Sequence, residues 1–301
     1  MVNSGGEMNV VLVKDINKYE NQKITIKGWV YSSRRSGKIG FLMLRDGQGT
    51  VQCIIEKSHI GEDSFTEFKS ITQESSISVV GKVVKNDRAL GGYEIFVDAF
   101  EVFQITKDYP ITPKEHGTDF LMNRRHLWLR SKRQHAIMKI RHQIIKSIRD
   151  FFDSNDFTLI DTPIFTPNAA EGTSTLFQTD YFDSKAYLCQ TGQLYGEASA
   201  MAFGRHYNFG PCFRAEKSKT RRHLTEFWMV EPEIAYCDII ENMEWAEKLI
   251  IYIIEQVLKN KKNELLILER NIESLEAIDS TFPKISYTEC IEILKKGGFD
   301  I

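Results

Sequence analysis

The segment that decides the fold runs from Tyr207 to Tyr236 and reads YNFGPCFRAEKSKTRRHLTEFWMVEPEIAY. Its two ends are strand-like and a basic stretch lies between them, so the sequence predicts two strands joined by a basic loop. Period-two alternation places Phe227, Glu231 and Glu233 on one face of the second strand, with Arg214 and Glu216 facing them from the first. A face with this many charges is not predicted to be core.

These residue types suit a site that holds a nucleoside triphosphate beside a zwitterionic small molecule. An arginine offers a planar fork for phosphate or carboxylate oxygens, a phenylalanine a stacking surface for a base, and a glutamate an acceptor for an ammonium group. A solvated surface hairpin is the alternative interpretation, and the short pattern Phe-Arg-x-Glu alone does not separate the two.

The stretch FRAEKSKTRRHLTEFW, residues 213 to 228, resembles motif 2 of the class II aminoacyl-tRNA synthetases, in their aspartyl/asparaginyl branch. The resemblance implies that Arg214 and Glu216 are the catalytic residues, that Phe227 stacks on adenine and that His223 helps to order ATP. Lys217 to Arg222 would then meet the acceptor end of tRNA. The full set of implied ATP-binding residues is Arg214, Glu216, Arg222, His223, Leu224 and Phe227.

Length and composition bound the class of protein. A chain of 301 residues with 42% hydrophobic and 27% charged residues predicts a soluble protein of two domains. The net charge of −2 gives no global argument for nucleic acid. The five cysteines form no C-x-x-C pair, and no stretch reads as a secretion signal or a membrane span, so we expect reduced thiols, no metal site and a cytoplasmic location.

From Ile24 to Val102 the chain shows about five short β-type runs with one helical interruption near Asp63 to Thr72, the proportion of an OB-fold barrel. Such barrels bind single-stranded nucleic acid through exposed aromatic and basic side chains. The resemblance implies that Arg34, Phe41 and Gln52 read the tRNA anticodon, with Phe41 stacking on its central uridine. Periodicity alone favours the alternative that Phe41 is a core residue, and only the resemblance places it on the anticodon face.

The predicted fold class is α+β: an OB-fold anticodon-binding domain over residues 1–104, a linker over 105–132, and a catalytic domain over 133–301 made of an antiparallel sheet flanked by helices. A capping pattern at Ser131 opens a predicted helix. Its apolar stripe predicts buried residues at Ile137, Ile140, Ile144, Ile148 and Phe151. A strand carrying Pro163 follows, and helix and strand together resemble motif 1, which implies a homodimer.

The resemblance also places the amino-acid pocket. Glu171 and Gln193 would hold the substrate ammonium group, and Arg214 its carboxylate. Aspartyl enzymes carry a lysine where this chain has Gly196, and an aspartate where it has Glu231. A site must separate isosteric aspartate from asparagine by charge, so the pocket is expected to favour asparagine. The motif detail is most similar to asparaginyl enzymes of archaeal type, although these usually have leucine at the position of Gly196.

The expected function is ATP-dependent attachment of asparagine to tRNA(Asn) through an adenylate, with ATP and Mg²⁺ required. Motif 3, which would supply a γ-phosphate arginine and the Mg²⁺ ligands, is expected beyond residue 301, so the chain by itself is expected to be inactive. Aspartyl-tRNA synthetase, possibly non-discriminating, remains an alternative. So do a non-catalytic tRNA-binding fragment and a paralogue that makes free asparagine.

Overall fold

A computed structural model describes residues 10–169, 175–217, 220, 222–278 and 282–299. The chain divides into two compact units, Met1–Asn123 and Arg124–Ile301. The division falls inside the segment 105–132 that the sequence predicts as a linker.

The first unit contains a closed five-stranded barrel, which confirms the predicted OB fold. Its strands pair in the order β1-β2-β3-β5-β4, with β3 and β5 parallel and the other pairs antiparallel. The strands are β1 (Lys23–Ser36), β2 (Ile39–Arg45), β3 (Thr50–Glu56), β4 (Ser76–Lys85) and β5 (Tyr93–Gln104). Alternate residues of β2 and β3 are buried, so one face of each strand fills the barrel and the other faces outward.

Two helices lie between β3 and β4, namely α1 (Lys57–Ile60) and α2 (Glu62–Ser70), where the sequence predicts one helical interruption. Phe65 and Phe68 of α2 are 2% exposed and join the barrel core. Short 3₁₀ helices span Val13–Tyr19 and Leu90–Gly92, and α3 (Thr118–Met122) ends the unit. The alternate residues of β2 and β3 that do not belong to this core lie on the outer face of the barrel.

The second unit is built around two long helices. The helices are α4 (Arg125–Trp128), α5 (Lys132–Ser154), α6 (Gln193–Phe203), α7 (Ile239–Ile267), α8 (Glu273–Glu276) and α9 (Tyr287–Lys296). The Ser131 side chain accepts a hydrogen bond from the Gln134 backbone N–H, so α5 begins at the predicted cap. In the described part of the chain, none of the helices is long and apolar enough to cross a membrane.

Two small sheets complete the second unit. One has the order β11-β10-β6 and the other β7-β9-β8. Their strands are β6 (Thr158–Leu159), β7 (Phe165–Thr166), β8 (Gln178–Tyr181), β9 (Ser184–Leu188), β10 (Arg205–Phe213) and β11 (Glu226–Ile234). Phe152, Phe157 and Tyr207 pack in one aromatic core, joined by Trp245 and Leu249 of α7. This core fixes one face of the β10-β11 hairpin and leaves the other face for the site.

Two sequence predictions need correction. The single strand predicted around Pro163 is two separate strands, β6 and β7, which lie in different sheets. Proline cannot donate to a strand ladder, so the chain leaves the first sheet before it and enters the second after it. On α5, Ile148 and Phe151 are buried as predicted, but Ile137, Ile140 and Ile144 are only half-buried.

Candidate substrate site and nucleic-acid interface

The β10-β11 hairpin positions the predicted motif 2 residues. The strands pair in antiparallel register, with Cys212 opposite Phe227 and Asn208 opposite Glu231. At the open end, the Arg214 backbone N–H donates to the Thr225 carbonyl at 2.9 Å, and the Arg214 guanidinium carbon lies 6.0 Å from the Phe227 ring centroid. The register therefore brings a cation and an aromatic ring together at one place, as the sequence predicts.

The loop between the two strands carries the remaining predicted ATP-binding residues. Glu216, Arg222, His223 and Leu224 are all exposed to solvent. The hydroxyl of Thr220 contacts Nδ1 of His223 and accepts from the His223 backbone N–H at 3.2 Å. These four side chains therefore lie in the loop that joins β10 to β11, next to Arg214 and Phe227 in the sequence.

Glu231 is held by the start of α6. One carboxylate oxygen accepts from the Thr191 hydroxyl, and the other accepts from the Gly192 backbone N–H at 3.1 Å. Thr191 also accepts from the Gln193 backbone N–H at 3.1 Å. The free N–H groups at a helix start favour a negative charge. These two hydrogen bonds fix the Glu231 carboxylate at the place where the sequence predicts the substrate side chain.

Of the two residues predicted to bind the substrate ammonium group, the structure describes one. Gln193 is the first residue of α6 and its side-chain amide donates to Glu197 at 3.2 Å. The remaining predicted residue, Glu171, lies outside the described residues. Glu197 was not anticipated as a site residue, although its spacing of four from Gln193 on a helix is a signal that could have found it.

Gly196 lies directly against two side chains of the hairpin. A Cβ built on it would come within 3.1 Å of His206 Nε2 and 3.2 Å of Glu233 Cγ. His206 is fully buried, and neither ring nitrogen has a hydrogen-bond partner among the described residues. Burial, reinforced by the charges of Glu197 and Glu231, raises the pKa of the Glu233 carboxyl. Three carboxyl groups therefore surround the position where an aspartate pocket would need a cation.

A thiol on the same face is not a nucleophile. Cys212 is buried, and burial together with the charge of Glu231 raises its pKa to about 12. It therefore stays protonated at neutral pH, and only the thiolate form attacks electrophiles. This face can therefore bind and orient a substrate through its charged groups, and Cys212 supplies no nucleophile.

A cavity of about 350 Å³ lies against the β10-β11 hairpin beside the start of α6. It is lined by residues 208–212 of β10, by Arg149, Asp161, Thr162 and Ile164, and by Gly192, Trp228 and Glu231. Neither Arg214 nor Phe227 lines it. The predicted substrate face therefore shares Asn208, Cys212, Glu231 and the start of α6 with the cavity, and it extends beyond the cavity to Arg214 and Phe227.

The barrel brings the predicted anticodon residues onto one outer face. Arg34 pairs opposite Phe41, and Gln52 lies opposite Met43 in the next strand. Phe41 is half-buried and outside the core, with the Arg34 guanidinium carbon 4.6 Å from its ring centroid. The Gln52 amide donates to Glu94 at 3.2 Å, so a fourth residue orients it. The alternative interpretation of Phe41 as a core residue is wrong.

A magnesium site does not fit the residues that the structure describes. Within those residues, no group of three or more histidine, cysteine, aspartate or glutamate side chains is arranged to hold a metal ion.

Comparison with known proteins decides the family. Residues 117–299 match the family described as tRNA synthetases class II (D, K and N), and residues 24–103 match the OB-fold nucleic acid binding domain. The chain belongs to the class II tRNA synthetases. The first match covers well over half of the chain and includes the whole hairpin and α6.

Two similar synthetases carry the same name. The chain is 56% identical over 288 residues to the asparagine--tRNA ligase of Sorangium cellulosum, covering 95% of this chain and 65% of that protein. It is 52% identical to the same enzyme of Desulforamulus reducens, covering 97% and 68%. The chain thus spans about two thirds of the length of these relatives.

A solved synthetase structure shares the fold. Asparaginyl-tRNA synthetase from Pyrococcus horikoshii, crystallised with asparaginyl-adenylate, matches with a TM-score of 0.92 at 36% identity. The match covers 97% of this chain and 68% of that one.

Proposed function

We propose that this protein, in its complete form, attaches asparagine to tRNA(Asn) in an ATP-dependent reaction that passes through asparaginyl-adenylate. One observation carries the proposal. Gly196 leaves space because it has no side chain, and the start of α6 holds the Glu231 carboxylate in a fixed position. The names of the relatives at 52–56% identity support it.

The choice of amino acid follows from charge. A second substrate carboxylate placed about 4 Å from Glu231 would meet a repulsion on the order of 4 kcal/mol at an effective dielectric near 20. The charge of Glu197 adds to the negative potential around the pocket, since it and Glu231 both raise the pKa of the neighbouring Glu233. Neutral asparagine avoids this cost, and its amide can donate a hydrogen bond to the carboxylate. Asparagine is therefore favoured over aspartate.

The reaction needs positioning rather than a protein nucleophile. The substrate carboxylate attacks the α-phosphate of ATP and pyrophosphate leaves; a terminal ribose hydroxyl of tRNA then takes the acyl group and AMP leaves. Arg214 bridges the α-phosphate and the substrate carboxylate, Phe227 stacks on adenine, and Glu216, Arg222, His223 and Leu224 hold the nucleotide. Glu171 and Gln193 hold the ammonium group. Fixed charges of this kind lower the barrier because they need no reorganisation.

Recognition of tRNA belongs to the barrel in this proposal. Arg34, Phe41 and Gln52 bind the anticodon, and Glu94 holds the Gln52 amide in place. A homodimer formed through the motif 1 region and a cytoplasmic location complete the proposal. The half-buried Ile137 and Ile140 of α5 are consistent with an interface there.

Asparagine- and aspartate-dependent exchange of pyrophosphate into ATP tests the activity. We propose measuring it on the 301-residue chain and on a chimera that adds the remaining third of the Sorangium relative. The chimera is expected to exchange with asparagine at least a hundredfold faster than with aspartate, and the 301-residue chain to show no exchange. Equal rates with the two amino acids would contradict the proposed specificity. Robust exchange by the shorter chain would contradict the expectation that it is inactive.

A further inference from the structure

His206 of β10 is a fully buried basic side chain beside the proposed amino-acid pocket. In the β10-β11 register it lies opposite Glu233, and the next pair on the same face is Asn208 with Glu231. Directly opposite residues of neighbouring strands have Cβ atoms about 5 Å apart. The His206 imidazole therefore belongs to the face that carries Glu231, and not to the aromatic core on the other face of the hairpin.

The lack of a side chain at Gly196 makes room for this imidazole. A Cβ built on Gly196 would come within 3.1 Å of His206 Nε2 and 3.3 Å of His206 Cε1. The same Cβ would come within 3.2 Å of Glu233 Cγ. The edge of the His206 ring thus takes up space that a side chain at position 196 would need, and it does so next to Glu233.

Two neighbouring elements place carboxyl groups near His206. Strand β11 contributes Glu231 and Glu233, and α6 contributes Glu197, whose charge acts with that of Glu231 on the Glu233 carboxyl. The third neighbouring element, β6, pairs with His206 through Thr158 and has no ionisable side chain. The ionisable groups that these elements bring to His206 are therefore acidic.

The adjacent arginine does not offset these carboxyl groups. Arg205 precedes His206 on β10 and so points to the opposite face, where its guanidinium carbon lies 5.2 Å from the Trp245 ring centroid. Apart from Arg205, the fully described elements β6, β10, β11 and α6 contain no basic side chain other than His206. The protonation of His206 therefore decides whether this part of the face contains a cation.

Burial keeps the imidazole uncharged at neutral pH. Burial lowers the pKa of His206 below its ordinary value of 6.5, and the polar backbone groups of Gly196 and Tyr207 oppose this shift only in part. Neither ring nitrogen has a hydrogen-bond partner among the described residues. A pocket without a cation suits the neutral amide of asparagine, whereas the carboxylate of aspartate needs an opposite charge.

We propose that His206 is a specificity-determining residue of the amino-acid pocket: its uncharged imidazole keeps the pocket free of a cation and favours asparagine, and its protonated form admits aspartate. The inference rests on the proposed function and adds to it a residue of β10 whose charge can change. Because protonation begins only below about pH 6.5, the preference for asparagine should weaken as the pH falls below this value.

Two substitutions of His206 separate its charge from its bulk. His206→Gln keeps a neutral polar side chain, and His206→Lys places a cation in the same space. The test is pyrophosphate exchange with asparagine and with aspartate at about pH 7.5, on the chimera that adds the remaining third of the Sorangium relative. The glutamine variant should keep the aspartate-to-asparagine ratio within about threefold of the unaltered chimera, whereas the lysine variant should raise it about tenfold or more.

A lysine elsewhere on α6 is the matched control. Ala202 is exposed near the end of the helix, so Ala202→Lys adds the same charge away from Gly196 and should leave the ratio unchanged. An equal rise with Ala202→Lys and His206→Lys would mean that added charge acts on the site in general, and the assignment of His206 would be wrong.

The pH dependence separates protonation from a purely steric role. Between about pH 7.5 and about pH 5.5, the aspartate-to-asparagine ratio should rise in the unaltered chimera. The rise should be smaller in His206→Gln, because only the carboxyl groups can then titrate.

Equal pH profiles for the unaltered chimera and His206→Gln would overturn the assignment, as would an unchanged ratio in a folded His206→Lys variant. If the lysine variant does not fold, the comparison of the two pH profiles decides. Failure of the proposed function has a different signature, because the unaltered chimera would then show no asparagine-dependent exchange, or no preference for asparagine, at about pH 7.5.

Discussion

In the proposed anticodon recognition by the barrel, we expect Phe41 to contribute more than any other side chain. It is half-buried on the outer face of β2 and the Arg34 guanidinium covers its ring. Phe41→Ala should weaken binding of an anticodon stem-loop with a central uridine by about 1 to 3 kcal/mol, because base stacking on an aromatic ring is worth that much. The measurement is a fluorescence anisotropy titration at constant salt.

An aromatic residue elsewhere on the barrel provides the control for this prediction. Phe103 on β5 is half-exposed and lies close to Lys27, which repeats the aromatic and cationic pair of Phe41 and Arg34. Phe103→Ala should not change the affinity. If both substitutions weaken binding alike, the effect comes from the barrel surface in general and the assignment of Phe41 is wrong.

Also at the residue scale, we propose that Gly196 and Glu231 set the preference for asparagine over aspartate. Gly196→Lys with Glu231→Asp, made in the complete enzyme, should raise the activation of aspartate relative to asparagine, because a cation is added and the opposing carboxylate withdraws. The ratio of pyrophosphate exchange rates with the two amino acids measures the change.

The structure supplies a steric control for the Gly196 experiment. Any side chain at position 196 meets the fully buried His206 ring at about 3.1 Å, so Gly196→Ala should cost about 1 kcal/mol or more of unfolding free energy. Because alanine adds the same Cβ without a charge, it should lower stability without changing the amino-acid preference. A shift in preference with alanine would show that shape, and not charge, separates the substrates.

At the scale of elements, the start of α6 holds β10 and β11 at the site. Gly192 precedes the helix, and a Cβ there would come within 1.6 Å of Nδ2 of Asn208, a side chain that is 3% exposed and would have to shift within the packed interior. Gly192→Ala should therefore lower the unfolding free energy by about 2 to 3 kcal/mol. It should also displace the N–H group that binds Glu231. Chemical denaturation measures the first effect.

Gly210 on the same hairpin is the matched control for Gly192. It belongs to β10, and a Cβ built on it meets nothing within 4 Å. Gly210→Ala should stay within about 0.5 kcal/mol of the unaltered protein. Equal destabilisation by both substitutions would mean that the contact between Gly192 and Asn208 does not limit the packing of α6.

At the scale of the whole molecule, the two units have separate cores, and each should respond only to its own substitutions. Leu42→Ala removes a fully buried side chain of the barrel, and Phe152→Ala one of the aromatic core. Each should lower the stability of its own unit by about 2 to 5 kcal/mol. Hydrogen exchange read by mass spectrometry on peptides from each unit resolves the two effects. A faster exchange of both units after either substitution would show that they unfold as one.

Local patterns explain why most elements could be predicted. Apolar and polar residues alternate along β2 and β3, and their burial alternates in the same way. The start of α5 and the ends of β10 and β11 are set by residues next to them in the sequence. The sequence predictions do not include α6. Its pattern is nevertheless typical of a helix, since Thr191 and Gly192 precede a run with three alanines and Gly204 follows it. The sequence predicts one strand around Pro163 because it shows the position of the proline. It does not show that the residues before and after the proline join different sheets.

The sequence by itself determined the family and the order of the two units, and it predicts Arg34, Phe41, Arg214 and Phe227 as site residues, because the residues of each motif are close together along the chain. Only the tertiary structure decided what holds Glu231, since its partners Thr191 and Gly192 are about 40 residues away and meet it only when α6 packs on β11. The contact of Gly196 with His206 and Glu233 likewise arises from the packing of α6 on the hairpin. Contacts of this kind depend on the closure of the fold, which no local pattern encodes.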